Sequence, residues 1–256
     1  MLARAALVLA AASCLALAAP LAAFEVRVQR TPHDGIQPQL VAADGVLHLI
    51  YYLGNEAHGN VFYARSTDGG QTFSPPLRVN QTDDSAIAIG NIRGAHLAIG
   101  KGGRPHVAWM GSDKAESGPD GATPMVYTRL ADDGQSFEPE RNVIQFAAGL
   151  DGGGSVAADR AGNVYVAWHA AKPGGRGEQD RTIWVARSDD DGQTFAREQQ
   201  AWNEPVGACG CCGMRAFADP SGAVYVLYRA AERANQRDMY LLTSADHGAT
   251  FRGRLL

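Results

Sequence analysis

Three cysteines crowd into the segment Ala208 to Arg215, with only Gly210 between the first two: Cys209, Cys211 and Cys212. Thiolates this close suit a soft metal, Cu or Zn, because sulfur is the softest donor a side chain offers. A structural zinc site asks for cysteines two to four apart and two further ligands, to which His33 and His96 could contribute. The same trio could instead form one disulfide with a thiol left over, pack as small apolar groups, or do redox chemistry. These alternatives stay open, and no other cofactor is expected.

Acids and bases are nearly balanced, 23 Lys+Arg against 27 Asp+Glu in 256 residues, for a formal net charge of −4. That balance argues against a general nucleic-acid binder, which would show a basic excess. An apolar share of 45% excludes a disordered chain, and the length suffices for a sizeable core.

Residues 1–23 carry Arg4, an apolar stretch from Ala5 to Leu17 and then small residues, the pattern of a secretory signal peptide. The expected location is periplasmic or secreted. Cys14 lacks the large aliphatic residue that a lipoprotein site would place three positions earlier, so lipid anchoring there is not expected. No later segment approaches the ~20 apolar residues of a membrane span.

The elements that must position any chemistry come as one unit repeated four times. Ser66 to Phe73 (STDGGQTF), Leu130 to Phe137 (LADDGQSF), Ser188 to Phe195 (SDDDGQTF) and Ser244 to Phe251 (SADHGATF) align without gaps, their closing Phe residues 64, 58 and 56 positions apart. An alternating β-rich run precedes each, another strand lies upstream of that, and a Gly turn opens the upstream strand. Short strands between Gly and Asp turns, recurring every ~40–60 residues, predict four-stranded antiparallel blades. The blades are expected at about 36–80, 93–145, 152–202 and 213–256, with 24–30 as an outer strand. Asp68, Asp132, Asp190 and Asp246 should accept backbone N–H bonds within their own turns.

In such a meander the Gly and Asp turns share one face and the longer connections the other, and long loops on a rigid scaffold are the usual home of function. Where the inner strands begin there, polar residues gather: His33 and Asp34 in the first, Arg93 and His96 in the second, Asp151 in the third, Arg215 in the fourth. Trp202 sits in one of these connections and is the candidate for stacking on a ligand. Leu53 to Asn60 is among the expected loops.

The pattern Ser-x-Asp-x-Gly-x-Thr-Phe resembles the Asp box, or BNR repeat, of sialidase-like β-propellers, over essentially all of residues 24–256. The resemblance implies an all-β propeller, a six-bladed ring of which this chain would hold four blades, and boxes that are architectural and lie away from the active face. It also implies an exo-glycosidase or glycan-binding protein for an anionic sugar. Sialidases grip the sugar carboxylate with three arginines, for which Arg30, Arg93 and Arg215 are the candidates with His33 nearby. Asp34 or Asp151 would be the proton donor. Arg30-Thr31-Pro32 replaces the Arg-Ile-Pro of sialidases, and no Tyr can be paired with a Glu as nucleophile. A carbohydrate ligand is the expected partner. The rival expectation is a non-catalytic propeller that uses its cysteine cluster for binding.

Overall fold

The computed structural model describes residues 26–256 apart from 91, 148, 173 and 234. The leader-like stretch 1–23, Cys14 and the residues Phe24 and Glu25 lie outside them. The chain divides into two units, Met1–Arg30 and Thr31–Leu256. In the first, Val26 to Arg30 are exposed and carry no strand, so the described part of the expected outer strand over 24–30 is irregular.

The second unit holds four antiparallel sheets, each with its strands in chain order. The first comprises β1 (Ile36–Ala43), β2 (Val46–Asn55), β3 (His58–Ser66) and β4 (Leu77–Arg78). The second comprises β5 (His96–Ile99), β6 (Pro105–Met110), β7 (Met125–Arg129) and β8 (Arg141–Asn142). The third comprises β9 (Gly154–Ala158), β10 (Val164–Ala171), β11 (Arg181–Ser188) and β12 (Gln199–Gln200). The fourth comprises β13 (Arg215–Ala218), β14 (Val224–Arg229), β15 (Met239–Ser244) and β16 (Arg252–Leu255). The inner strands β1, β5, β9 and β13 pack in succession, which makes the sheets the blades of a propeller. Among the described residues no helix is long and apolar enough to cross a membrane.

Strand alternation explains how the blades adhere. In β10 the side chains point alternately to the two faces: Val166 and Trp168 join the apolar layer shared with the second blade, while Tyr165 and Ala167 join the layer shared with the fourth. Between the first two blades, Ile50 and Tyr52 meet Val107 and Trp109. The strand aromatics Tyr52, Trp109, Trp168 and Tyr228 are thus inter-blade packing, each at most 3% exposed.

Three of the four aspartate turns share one hydrogen-bond scheme. The hydroxyls of Ser66, Ser188 and Ser244 donate to Asp68, Asp190 and Asp246 at 2.7 Å, and accept the N–H of Gly70, Gly192 and Gly248. Each aspartate then accepts the N–H and hydroxyl of the Thr four residues on. At Asp190 partial desolvation raises the pKa, but the bonds from Thr194 and Ser188 outweigh it and bring it down to about 2. The closing Phe packs on the preceding blade: Phe137 stands edge-on to Tyr63 and Phe195 edge-on to Tyr127, with ring centres 5.7 and 4.8 Å apart.

The second turn differs from expectation. Leu130 stands where the others have Ser, so no hydroxyl anchors the third position. Asp133, not Asp132, accepts the N–H groups of Gln135 and Ser136, and Asp132 turns to Arg104 at 2.6 Å. A second departure is Leu53 to Asn60, expected as a loop. There β2 and β3 continue into a tight hairpin, with Leu53 opposite Asn60 and Asn55 opposite His58.

Candidate functional site

The registers fix which residues share the face away from the aspartate turns. Gly154 lies opposite Trp168, Ala171 opposite Arg181, Arg215 opposite Leu227 and Arg229 opposite Met239. The starts of β9 and β13 and the β10–β11 and β14–β15 connections therefore meet at one end of the blades. Two glycines allow the backbones to close in. Gly152 and Gly153 have φ of +84° and +76°, and a Cβ on Gly152 would overlap the Gly210 carbonyl oxygen while one on Gly153 would lie 3.1 Å from that of Ile92.

Asp151 is the hub of what converges there. One carboxylate oxygen accepts Arg93 Nη2 at 2.7 Å and the other Arg181 Nη2 at 3.0 Å. Partial burial alone would raise its pKa, but the Arg93 hydrogen bond and the two positive charges outweigh it and hold it below the usual carboxylate value. A carboxylate so held is ionised at neutral pH, and this geometry does not suit the proton donor expected of Asp151.

The chain of charges continues outward. Arg181 Nη1 is 3.7 Å from Glu178 Oε1, which also accepts the Gly210 N–H at 2.8 Å, and Glu178 Oε2 takes Arg237 Nη1 at 2.6 Å. Arg237 donates onward to Cys209 Sγ at 3.1 Å, and Arg229 to Cys212 Sγ at 3.4 Å. The cysteine sulfurs are mutually close: 3.2 Å between Cys209 and Cys211, 3.5 Å between Cys209 and Cys212, 3.9 Å between Cys211 and Cys212. This is near enough for the three to share a metal ion, and they are the one such group of His, Cys and carboxylates among the described residues. Desolvation alone would raise Cys209, but hydrogen bonds from Cys211, Cys212 and Arg237 lower its pKa, whereas bonding to Cys209 and Cys212 pushes Cys211 up to about 11.

Beside this network, His96 is buried and bonds Ser155 Oγ at 3.0 Å and Arg215 Nη1 at 2.7 Å. Burial, with the Arg215 charge, brings its pKa down to about 3. Gln37, Gln39, Ile92 and Arg215 line a cavity of about 70 Å³ next to it. His169 is buried too, its pKa brought down to about 4 by desolvation and Arg181. Neither of its ring nitrogens has a hydrogen-bond partner.

No known family profile matches the chain, and no curated protein does. Solved structures do. A Trypanosoma rangeli sialidase bound to the inhibitor DANA superposes with a TM-score of 0.56 at 16% identity, over 88% of this chain and 38% of that one. The NanB sialidase of Streptococcus pneumoniae gives 0.55 at 12%, over 86% and 51%. A xylan β-1,4-xylosidase of Bacillus halodurans gives 0.51 at 15%, over 85% and 42%. The chain has the fold of a sialidase-like β-propeller. It spans about half or less of the length of these neighbours.

Within this sialidase-like propeller the expected site residues separate. Arg93 and Asp151 come together, and Arg215 reaches His96 across the inner strands. Arg30 ends the N-terminal unit, outside the propeller unit. His33 and Asp34 are exposed on a short turn at positive φ, +56° and +54°, just before β1. His33 and His96, which could have contributed to a metal site, are not part of the cysteine group. Trp202 is not a free platform: its indole stacks at a tilt on Tyr240, 5.4 Å between centres, and lies so close to Gly253 that a Cβ there would overlap it. Arg181, Glu178, Arg229 and Arg237 were not singled out by the sequence. The signal that could have found them was position: Arg181 and Arg229 bound central strands, and Glu178 and Arg237 lie in the connections next to them.

Proposed function

We propose that this propeller binds an anionic sugar on its long-connection face, and that it recognises rather than hydrolyses it. The observation that carries the reading is the Asp151 carboxylate set between Arg93 and Arg181 where the inner strands begin. With Arg215 lining the adjacent cavity beside Ile92, the guanidiniums of Arg93, Arg181 and Arg215 stand against the carboxylates of Asp151 and Glu178, so the complementary ligand is an anion, and the guanidinium fork suits a carboxylate. The fold supports a sugar as its carrier, since a neighbour of this fold has been solved with sialic acid. Recognition is favoured over hydrolysis because an Asp151 carboxylate held ionised between two guanidiniums suits an anion-binding site better than proton donation. We read the aspartate turns as Asp boxes and take the protein to act outside the cytoplasm, as its leader-like first residues suggest.

Calorimetry with N-acetylneuraminic acid and a neutral hexose tests this. The acid alone should bind, and Arg93→Ala and Arg215→Ala should each weaken it about tenfold, the order expected for one charge-assisted bidentate contact. Equal binding of both sugars, or binding indifferent to both substitutions, would contradict it.

A second reading rests on the mutual distances of the three sulfurs: the cluster holds a soft metal, copper or zinc, in a protein that need not be an enzyme. Metal content of the purified protein, with thiol counting, separates this from a disulfide.

A further inference from the structure

We propose that Cys209, Cys211 and Cys212 form a three-coordinate, all-sulfur site for one cuprous ion, with Arg229 and Arg237 balancing its charge. The proposal rests on the soft-metal reading above and narrows it from copper or zinc to monovalent copper.

Geometry supplies the first reason. The three sulfurs sit on one tight turn, pinned by the Cys209 N–H on the Arg229 carbonyl at 2.9 Å and the Cys212 N–H on the Cys209 carbonyl at 3.4 Å. A metal–sulfur length of ~2.3 Å places the corners of a trigonal plane about 4 Å apart. The observed separations of 3.2, 3.5 and 3.9 Å reach that with a small outward shift of Cys209, and the shift needs no change of fold.

The donor set supplies the second. Zinc asks for four ligands, and the described residues offer three sulfurs and nothing else within the group. The nearby Glu178 carboxylate is engaged by Arg237 at 2.6 Å and by the Gly210 N–H at 2.8 Å. His96 is engaged by Ser155 and Arg215. Soft thiolates without a fourth, harder donor select Cu(I).

Charge supplies the third. Three thiolates around a monovalent ion leave two negative charges, and two guanidiniums touch the sulfurs, Arg237 at Cys209 and Arg229 at Cys212. Glu178 holds Arg237 in place for this role. Loading is a ligand exchange with no change of oxidation state: Cu(I) leaves its carrier, forms three Cu–S bonds and displaces a proton from each sulfur that bears one. Cys211 is exposed, so the ion can arrive from solvent.

The test is an anaerobic titration of the reduced full chain with Cu(I) held by bicinchoninate, run beside one with Zn(II), followed by X-ray absorption at the metal edge. One Cu(I) per chain in an all-sulfur, three-coordinate shell is expected. Cys209→Ser, Cys211→Ser and Cys212→Ser should each lower affinity at least 100-fold with far-UV circular dichroism unchanged. Arg237→Gln, which leaves all sulfurs in place, should lower it about tenfold and covers the case in which a cysteine variant misfolds. Stoichiometric Zn(II) with Cu(I) left on the chelator would overturn the cuprous assignment and keep the soft-metal reading. Failure to retain either metal would overturn both. Copper binding that survives all three serine substitutions would also overturn the proposal.

Discussion

Arg93 Nη2 of the second blade lies 2.7 Å from Asp151 Oδ1 of the third, so a single ion pair ties together the starts of two neighbouring inner strands. It is half-exposed, and a pair of this kind contributes about 1 kcal/mol or less. Its importance lies in where it holds two guanidiniums.

The sign of the Asp151 shift sets a pH dependence. Its pKa is lower folded than unfolded, so its contribution to stability is full above the unfolded value near ~3.9 and is lost as pH falls through the folded one. Asp151→Asn should therefore lower the melting temperature at pH 7 but change it little at pH 2, as scanning calorimetry would show. An equal loss at both pH values would contradict the pairing.

His96 and His169 should stay neutral across the physiological range. Their folded pKa values, about 3 and about 4, lie below the unfolded value, so stability is complete above ~6.5 and falls on acidification, by up to ~1.4 kcal/mol per pH unit for each. Proton NMR should find two imidazoles whose shifts do not move between pH 8 and 5. Two histidines titrating near 6.5 at these positions would refute the burial argument.

The second aspartate turn gives a paired test. Asp133→Ala removes the acceptor of two turn N–H groups and should cost about 1 kcal/mol in urea unfolding. Asp132→Ala breaks an exposed pair with Arg104 and should cost clearly less. The reverse order would restore Asp132 as the turn residue.

Gly253→Ala tests the placement of Trp202. A methyl group there enters the indole and should destabilise by about 1–3 kcal/mol through overpacking, with sugar binding unchanged in the folded protein. Unchanged stability would mean that Trp202 is free to swing out.

The blades were legible because their signal is local and recurs in four turns: in three of them the Ser, Asp, Gly and Thr bond within five residues, so the chemistry can be read from spacing. The same locality explains the miss at Asp132, where Leu130 removes the hydroxyl that makes the third position the acceptor. The face of the long connections was legible too, because antiparallel meanders alternate their turns. The partners across it were not. Asp151 finds Arg181 thirty positions away, and Arg237 finds Cys209 twenty-eight away; such contacts depend on how the connections fold back over the strand ends of a blade, which no spacing encodes. Trp202 was misread for a related reason: a loop position says nothing about whether an aromatic packs back onto the next blade.

The central claim, that the long-connection face takes an anionic sugar, is tested most directly by a crystal structure of the full chain soaked with N-acetylneuraminic acid. Density for the sugar with its carboxylate within hydrogen-bond distance of Arg93, Arg181 or Arg215 is predicted. A sugar seated at the aspartate-turn face, or a long-connection face left empty at saturating ligand, would contradict it.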